Sequence, residues 1–389
     1  MNHGDGEPPM LSDEAAASAA QGLGGRIGLM AGQTIRRMVA QGLIDAPLPV
    51  EDSQYQPASL DLRLGARAYR VRASFLPGRE RSVGDQLVRS QLDELSLEDR
   101  GAVLERGCVY VVPLLESLNL PVDISAAANP KSSTGRLDIF TRLITDRSEV
   151  FDQVAGGYRG RLYAEISPRS FSTRLRQGSK LNQIRFRRQN QSPEPVLSDS
   201  DLMASHQRAP LVDGVLNLRG GLLLSVGLAP TADGIIGYRA QKHTDILDVD
   251  CVNAYEMGDF WEPLRLRADR RLILDPGEFY ILASRERICI PADLAAEMVP
   301  IDPAMGEFRV HYAGFFDPGF GFTPGGQPGS RAVLEVRSHE VPFVLEDGQI
   351  IGRLAFERMA EPPEVLYGQG ETSNYQGQGL KLSKHFRTP

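Results

Sequence analysis

The stretch LERGCVY at residues 104–110 recurs, with substitutions, as LDPGEFY at residues 274–280, a shift of 170 positions taken at Gly107 and Gly277. The same shift relates further identical residues without a gap: Glu116 and Glu286, Pro121 and Pro291, Asp123 and Asp293, Pro130 and Pro300, Glu165 and Glu335, Gly178 and Gly348, Phe186 and Phe356. Repeated matches at one offset indicate two copies of one domain. A length of 389 residues agrees with two domains.

Each copy consists mainly of short apolar runs separated by Gly, Pro and Asp, a pattern that predicts many short strands. The clearest runs are 108–115, 280–283, 332–336 and 350–356. Helical spacing of apolar residues predicts a helix over 32–42 and a weaker helix over 293–297. The expected fold is therefore mainly β with a few short helices.

The composition places the chain among ordinary globular proteins. Its net charge of −7 argues against general affinity for nucleic acid, and no apolar run approaches the ~18 residues of a membrane span. Three scattered cysteines suit buried thiols in a reducing compartment, so we expect a cytoplasmic protein.

Changes in composition suggest where the domains end. Residues 1–28 lack a basic start and a compact apolar stretch, and we expect a disordered tail rather than a signal peptide. Residues 191–212 contain QNQSPEP and SDSD and are predicted to be a linker between domain 1 (29–190) and domain 2 (213–366). Residues 367–389 form a C-terminal segment.

The segment NPKSSTGR at residues 129–136 is the first candidate binding element. It contains two cations, Lys131 and Arg136, and two serine hydroxyls, Ser132 and Ser133, which are groups that hold phosphate oxygens. Taken alone, such a stretch is more often an ordinary polar turn, and it does not have the spacing of a P-loop.

The second copy contains two further candidates. AGFFDPGFG at residues 313–321 predicts a tight hairpin whose backbone approaches a flat ligand, with Phe315 or Phe316 beside it; a structural turn with buried aromatics is the alternative. Glu335 interrupts the apolar run AVLEV, which is costly unless the carboxylate is paired, poised for proton transfer or facing solvent.

In combination these elements resemble the dCTP deaminase branch of the dUTPase-like family. QPASLDLRLG at residues 56–65 and NYQGQ at 374–378 also resemble that family, and the likeness covers roughly residues 30–190 and 215–385. The resemblance implies two tandem dUTPase-like β-barrel or jelly-roll domains. It also implies a trimer-type homo-oligomer with active sites shared between neighbouring subunits.

The resemblance further implies roles for individual residues. Lys131, Ser133 and the catalytic candidates Ser132 and Arg136 would hold phosphates or orient water, and Glu335 would activate that water, with Glu165 as a second candidate base. The remaining candidates bind substrate through the hairpin or close over the phosphates: Ala313, Phe316, Asp317, Tyr367, Asn374, Tyr375 and Gln378. Asn374 stands where the family often has lysine, and Lys381, Lys384 or Arg387 could replace it.

The two copies depart from the family pattern in complementary ways. The first keeps the Ser-Ser-x-x-Arg element and Glu165, but its hairpin, 145–152, is longer. The second keeps the hairpin, Glu335 and the tail, yet has Asp302, Pro303 and Gly306 where the serines and arginine belong. We therefore expect one composite site, with the phosphate wall from the first copy and the pyrimidine hairpin, base and lid from the second.

The function expected from this resemblance is hydrolysis of dCTP to dUTP and ammonia in pyrimidine deoxynucleotide biosynthesis. The sequence lacks the His-x-Glu and Pro-Cys-x-x-Cys signature of zinc deaminases, so Glu335 would activate water without a metal ligand set. Mg²⁺ is expected only as the companion of the nucleotide, and no tightly bound cofactor is expected.

Three other functions stay open. A dUTP diphosphatase would use Asp317, and a bifunctional enzyme would deaminate dCTP and then release dUMP. A non-catalytic nucleotide sensor is the third, motivated by the degenerate 300–306 segment. Inhibition by dTTP is implied by the resemblance alone.

Overall fold

The first copy is built on two large sheets that share one apolar core, and its strands β6 and β12 belong to a third, small sheet. A computed structural model describes residues 11–21, 23–188, 196–266, 271–299, 308–311, 314–323, 329–338, 340–370 and 373–387. One sheet has the order β1-β13-β8-β10 with β3 also on β13, and the other has β5-β4-β7-β11-β9 with β2 on β7. The strands are β1 Gly28–Leu29, β2 Ile44–Asp45, β3 Leu60–Arg63, β4 Arg67–Val71, β5 Gln91–Ser96, β6 Ala102–Leu104, β7 Val109–Asn119, β8 Ile124–Pro130, β9 Ile139–Thr145, β10 Gln153–Val154, β11 Arg159–Pro168, β12 Thr173–Leu175 and β13 Lys180–Arg188.

The second copy repeats this arrangement. Its sheets have the orders β14-β25-β20-β22 and β17-β15-β19-β23-β21, so β25-β20-β22 corresponds to β13-β8-β10 and β19-β23-β21 to β7-β11-β9. The predicted mainly β fold is confirmed. The strands are β14 Leu222–Ser225, β15 Ile235–Ala240, β16 Leu247–Asp248, β17 Trp261–Arg265, β18 Arg271–Leu274, β19 Phe279–Ile288, β20 Leu294–Val299, β21 Phe308–His311, β22 Phe315–Phe316, β23 Ser330–Ser338, β24 Phe343–Glu346 and β25 Ile350–Arg358.

The helices of the described residues are short. They are α1 Asp13–Gln21, α2 Gly32–Ala40, α3 Val83–Ser90, α4 Ser132–Gly135 and α5 Asp199–Arg208, with 3₁₀ turns at Asp52–Gln54 and Met257–Asp259. The predicted helix at 32–42 is confirmed as α2. The predicted helix at 293–297 is wrong, because this segment belongs to strand β20, which pairs with β25 on one side and β22 on the other. Tertiary pairing overrides the helical preference of its alanines.

Two segments predicted to lack regular structure contain helices. In the expected tail, α1 places Ala16 in the core of the first copy. In the expected linker, Ser198 begins α5 by accepting a hydrogen bond from the Asp201 amide. None of the helices in the described residues is long and apolar enough to cross a membrane.

The segment 313–321 is not the hairpin that the sequence predicts. The preceding strand β21 pairs with β23, whereas β22 pairs with β20 in the other sheet. The chain therefore crosses between sheets here, as it also does between β9 and β10 in the first copy. Ala313 lies outside the described residues.

The second copy and the tail also pack onto the core of the first. Strand β16 pairs with β12 in parallel, and Trp261 lies in the first copy's apolar core. Leu382 and Phe386, near the end of the chain, belong to the same core. The two copies and the tail thus form one structure around the interface between them.

Candidate functional site

A cavity of about 50 Å³ lies at the interface between the copies. It brings together most of the candidate residues: Lys131, Ser132 and Arg136 from the first copy, Phe316, Asp317 and Glu335 from the second, and Tyr367, Tyr375 and Gln378 from the tail. All of them come from a single chain. The composite arrangement expected from the sequence is therefore present within one polypeptide.

Glu335 lies in the middle of strand β23, between β19 and β21. Its side chain is 9% exposed, and burial raises its pKa to about 8, against the lowering effect of Arg136. A carboxyl with such a pKa exchanges its proton near neutral pH, as a general acid–base group must.

Arg136 ends helix α4 and points into the cavity. Its Nη1 donates to the Lys381 carbonyl at 3.0 Å, its Nη2 donates to Gln378 Oε1 at 2.9 Å, and the guanidinium lies 3.8 Å over the Tyr375 ring. Its buried Nε has no hydrogen-bond partner among the described residues and lies 3.9 Å from Glu335 Oε1. That separation is too long for a direct hydrogen bond, but one water can contact both atoms.

Helix α4 is fixed by its neighbours. The Lys131 amide and the Thr134 hydroxyl both donate to the Leu181 carbonyl, at 2.8 and 2.9 Å. Lys131 Nζ forms an ion pair with Asp61, a buried residue of the LDLRLG segment. Sequence reasoning quoted that segment only as a family motif, and its role in holding Lys131 was missed.

Asp317 is held by a partner that the sequence analysis missed. Arg185 Nη2 donates to Asp317 Oδ1 at 2.8 Å, its Nη1 donates to the Ala296 carbonyl at 3.0 Å, and its guanidinium lies 3.9 Å over the Phe315 ring. Burial raises the pKa of Asp317, although the charge of Arg185 opposes that shift. Strand β13 has the sequence KLNQIRFRR, so Arg185 is one of several charged residues in it and nothing local indicated that its side chain is buried in an ion pair.

The tail covers the cavity and is attached at several points. Gln376, another missed residue, donates to the Gly319 carbonyl at 3.1 Å and accepts from the Gly321 amide at 3.0 Å. Gln378 Nε2 donates to the Arg331 carbonyl at 3.0 Å. Asn374 does not line the cavity, and its carbonyl accepts from Lys381 Nζ at 3.1 Å.

The end of the tail is anchored on the first copy. Ser383 Oγ lies 2.9 Å from the Ser133 carbonyl and 2.9 Å from His385 Nδ1. His385 Nε2 lies 2.8 Å from the Val249 carbonyl, and burial lowers the pKa of His385 to about 4. The C-terminal segment that was expected to close over the phosphates thus covers the cavity and is attached to the protein on both sides of it.

Besides Asn374, two further candidate residues of the described chain do not line this cavity. Glu165 forms an ion pair with Arg142 at 2.6 Å, and the Arg142 guanidinium lies 3.4 Å over the Phe151 ring. The structure therefore does not bring the candidate base Glu165 to the composite site. Ser133 lines a neighbouring cavity instead. Within the described residues, no group of three or more His, Cys, Asp or Glu side chains is arranged to hold a metal ion.

Both halves of the chain match one family. Residues 26–190 match the 2′-deoxycytidine 5′-triphosphate deaminase N-terminal domain, and residues 198–386 match its C-terminal domain. The crystal structure of 2′-deoxycytidine 5′-triphosphate deaminase from Agrobacterium tumefaciens is similar with a TM-score of 0.83 and 54% identity. The match covers 87% of this chain and all of that one.

Curated relatives match over shorter regions. The "dCTP deaminase, dUMP-forming" of Pseudarthrobacter chlorophenolicus is 33% identical over 129 residues, which is 32% of this chain and 63% of that protein. The protein of the same name from Halobacterium salinarum is 27% identical over 190 residues, 47% of this chain and 90% of that protein. For the similar protein of Beutenbergia cavernae, the match spans 55% of its length.

Proposed function

Since the chain belongs to the 2′-deoxycytidine 5′-triphosphate deaminase family, we propose that it hydrolyses dCTP to dUTP and ammonia. One observation carries this proposal: the buried carboxyl of Glu335 faces the unpartnered Nε of Arg136 in a cavity lined by both copies and the tail. This pair can hold and deprotonate one water beside a bound ring.

The reaction needs two protons to be relayed, in four transfers, and Glu335 can perform them in turn. Its carboxylate takes a proton from water as the oxygen attacks C4 of cytosine, and it returns that proton to the ring nitrogen N3. It then takes the remaining proton of the new C4 hydroxyl and passes it to the amino group, which leaves as ammonia. A carboxyl whose pKa is about 8 suits both steps, since it accepts and releases protons near neutral pH.

Arg136 would stabilise the charge that develops. Its Nη atoms are occupied by Lys381 and Gln378, so the guanidinium is already oriented before substrate binds. The free Nε–H can donate to the attacking oxygen, and a fixed donor in a buried site needs little reorganisation. Ser132 lines the same cavity and supplies a further hydroxyl near the water.

Product analysis of the full chain incubated with dCTP and Mg²⁺ tests this function. We expect dUTP and ammonia from the wild-type protein and a loss of about 100- to 10,000-fold in rate for Glu335→Gln. Glu165→Gln is the matched control, a glutamate at the equivalent strand position outside the cavity, and should retain deamination. No ammonia from the wild-type protein, or loss only with Glu165→Gln, would overturn the proposal.

Formation of dUMP is the second candidate outcome, because the curated relatives described above are named dUMP-forming. Such a reaction needs a second water at the phosphates. Asp317, the aspartate considered for that role, is held in an ion pair with Arg185. The same chromatogram separates the cases, since dUMP with diphosphate appears only if the second hydrolysis occurs.

The remaining expectations extend this proposal. A trimer-type assembly, Mg²⁺ accompanying the nucleotide and inhibition by dTTP are what the family resemblance implies. A reducing, cytoplasmic location is supported by the three cysteines, which are all free, although Cys289 alone is fully buried. Light scattering and dCTP assays with added dTTP test the assembly and the inhibition directly.

A further inference from the structure

Arg185 lies on strand β13 of the first copy, but its guanidinium contacts the second copy. The side chain is fully buried, at 0% exposed. Its Nη1 donates to the Ala296 carbonyl of β20 at 3.0 Å, and its Nη2 donates to Asp317 Oδ1 at 2.8 Å. The guanidinium also lies 3.9 Å over the ring of Phe315. One side chain of the first copy therefore joins β20 to the 315–317 segment, which lines the cavity between the copies.

The fold of the repeat does not require an arginine at this position. The shift of 170 residues relates Arg185 to Ala355 of the second copy. The two residues occupy equivalent places in their sheets, since Arg185 pairs with Ala127 of β8 and Ala355 pairs with Glu297 of β20. An alanine is thus sufficient for the strand pairing, and the arginine side chain must be explained by what it contacts in the other copy.

The gain from these contacts is a fixed geometry more than stability. A buried ion pair stabilises a protein little more than apolar side chains of similar volume would. The buried Nε of Arg185 has no hydrogen-bond partner among the described residues, which adds a further cost. A planar guanidinium that both donates hydrogen bonds and stacks on a ring can nevertheless fix the direction of its partners.

The cavity wall that Arg185 contacts has little pairing of its own. Strand β22 has two residues, Phe315 and Phe316, and in the part of the chain that the structure describes it pairs only with β20. So short a strand forms few ladder hydrogen bonds. Phe315 and Asp317 are two positions apart and project to the same side, so one guanidinium contacts both. Phe316, between them, packs against Phe320 with ring centroids 5.2 Å apart.

We propose that Arg185 is a positioning residue for the nucleoside part of the substrate. It acts through Phe315 and Asp317, by holding the wall against which the pyrimidine and its sugar bind. This inference rests on the proposed function, because it takes the cavity to be the nucleotide site. The phosphate-binding candidates Lys131 and Ser132 belong to the first copy, and none of the Arg185 contacts described above involves them. Loss of Arg185 should therefore weaken binding of the nucleoside but not of the phosphates.

Arg185→Met tests the proposal, with Arg187→Met as the matched control. Arg187 lies two residues further along β13 and also pairs across the copies, with Glu357 at 2.6 Å, but Glu357 does not line the cavity. Three quantities are measured on the full-length protein, well below the Tm of each variant: the Kd of dUTP and the Kd of inorganic tripolyphosphate, both by calorimetry, and the KM for dCTP.

The expected result is a selective loss. For Arg185→Met, the Kd of dUTP and the KM for dCTP should rise by about tenfold or more, and the Kd of tripolyphosphate should stay within about twofold. Arg187→Met should lower the Tm but leave the preference for dUTP over tripolyphosphate unchanged. Arg185→Lys keeps the charge without the planar fork, so it should show the same selective loss to a smaller degree.

Every other outcome has a defined meaning. Equal losses of dUTP and tripolyphosphate affinity, or unchanged dUTP affinity in a folded Arg185→Met protein, would overturn the proposal. The same selective loss in Arg187→Met would assign the effect to the whole interface and not to Arg185. If Arg185→Met does not fold, Arg185→Lys decides, because the proposal requires its selective loss. A selective loss of dUTP affinity in a protein that releases no ammonia from dCTP would support the role of Arg185 while refuting the proposed function.

Discussion

Glu335 and Glu165 occupy equivalent strands, but their carboxyl groups have different surroundings. Glu165 accepts two hydrogen bonds from the Arg142 guanidinium. That guanidinium also lies over the ring of Phe151. Among the described residues, Glu335 has no side-chain partner within hydrogen-bond distance, and the nearest cation is Arg136, at 3.9 Å. Burial without close compensation leaves Glu335 able to exchange protons, whereas Glu165 is committed to an ion pair.

The pH dependence of activity should report this burial. The pKa of Glu335 is raised from 4.5 to about 8, and the base form is required for attack by water. We therefore expect kcat/KM for dCTP to rise with pH and to level off above about 8. A flat profile between pH 6 and 9 would contradict the assignment of Glu335 as the base.

Stability provides a substrate-free check on the same group. Because the folded-state pKa lies above the unfolded value, the native protein binds the extra proton between pH 4.5 and about 8. The free energy of unfolding should therefore fall across this range as pH rises, relative to Glu335→Gln, which cannot titrate. Thermal denaturation of both proteins measures this difference, which should grow towards pH 8 and then stay large.

At the scale of elements, strand β23 is positioned against the 136–138 segment by two pairs of oppositely charged side chains. The strand contributes the acidic residue of one pair and the basic residue of the other. Glu335 faces Arg136, and two residues further along the strand Arg337 forms an ion pair with Asp138. Asp138 is buried and also accepts from Ser170 Oγ at 2.6 Å. This second contact holds the strand that carries the proposed base against the segment that carries Arg136.

Arg337 is therefore expected to be a positioning residue. Arg337→Met removes the cationic partner of the buried Asp138 carboxylate, which should cost about 3–5 kcal/mol of stability. Well below the Tm, kcat should fall about tenfold or more with little change in KM, because the water is misplaced while the substrate contacts remain. Arg337→Lys should recover part of both losses.

The control is Arg271→Met, which removes an exposed cross-strand ion pair with Glu346. This change should leave kcat within twofold of the wild-type value and cost ~1 kcal/mol or less. If Arg337→Met lowered the Tm without changing kcat, the Asp138 contact would be purely structural.

The element scale also shows where local sequence patterns were sufficient. Short apolar runs bounded by Gly, Pro and Asp predicted β7, β19, β23 and β25, because each run carries this signal in its own sequence. The segment 293–297 was wrongly predicted to be a helix because its leucine and two alanines suit a helix as well as a strand. Pairing with β25 makes it part of a strand. The crossover at 313–321 depends on which sheet each flank joins, which a turn motif does not encode.

At the scale of the whole molecule, the repeat predicted the composite site because its two copies lose complementary motifs. Contacts between distant positions were not predictable in this way. Phe386 enters the first copy's core and Arg185 reaches Asp317, yet neither residue differs locally from an ordinary tail aromatic or a strand arginine. Such pairings are set by tertiary packing, so the family motifs indicated which residues would meet at the cavity but not the partners that hold them.

The site's position within one polypeptide leads to a test at this scale. Arg136 comes from the first copy and Glu335 from the second, and both line one cavity of the same chain. If instead each site joined domains of different chains, a chain lacking Arg136 and a chain lacking Glu335 could form one intact site between them.

Co-expressing Arg136→Met and Glu335→Gln chains with different affinity tags, and purifying the mixed assembly, distinguishes the two cases. We expect no deamination of dCTP by the mixture, because every site formed within a chain keeps one defect. Co-expression of a wild-type chain with either variant should retain activity and controls for dominant misassembly, whereas activity of the doubly defective mixture would place the working site between chains.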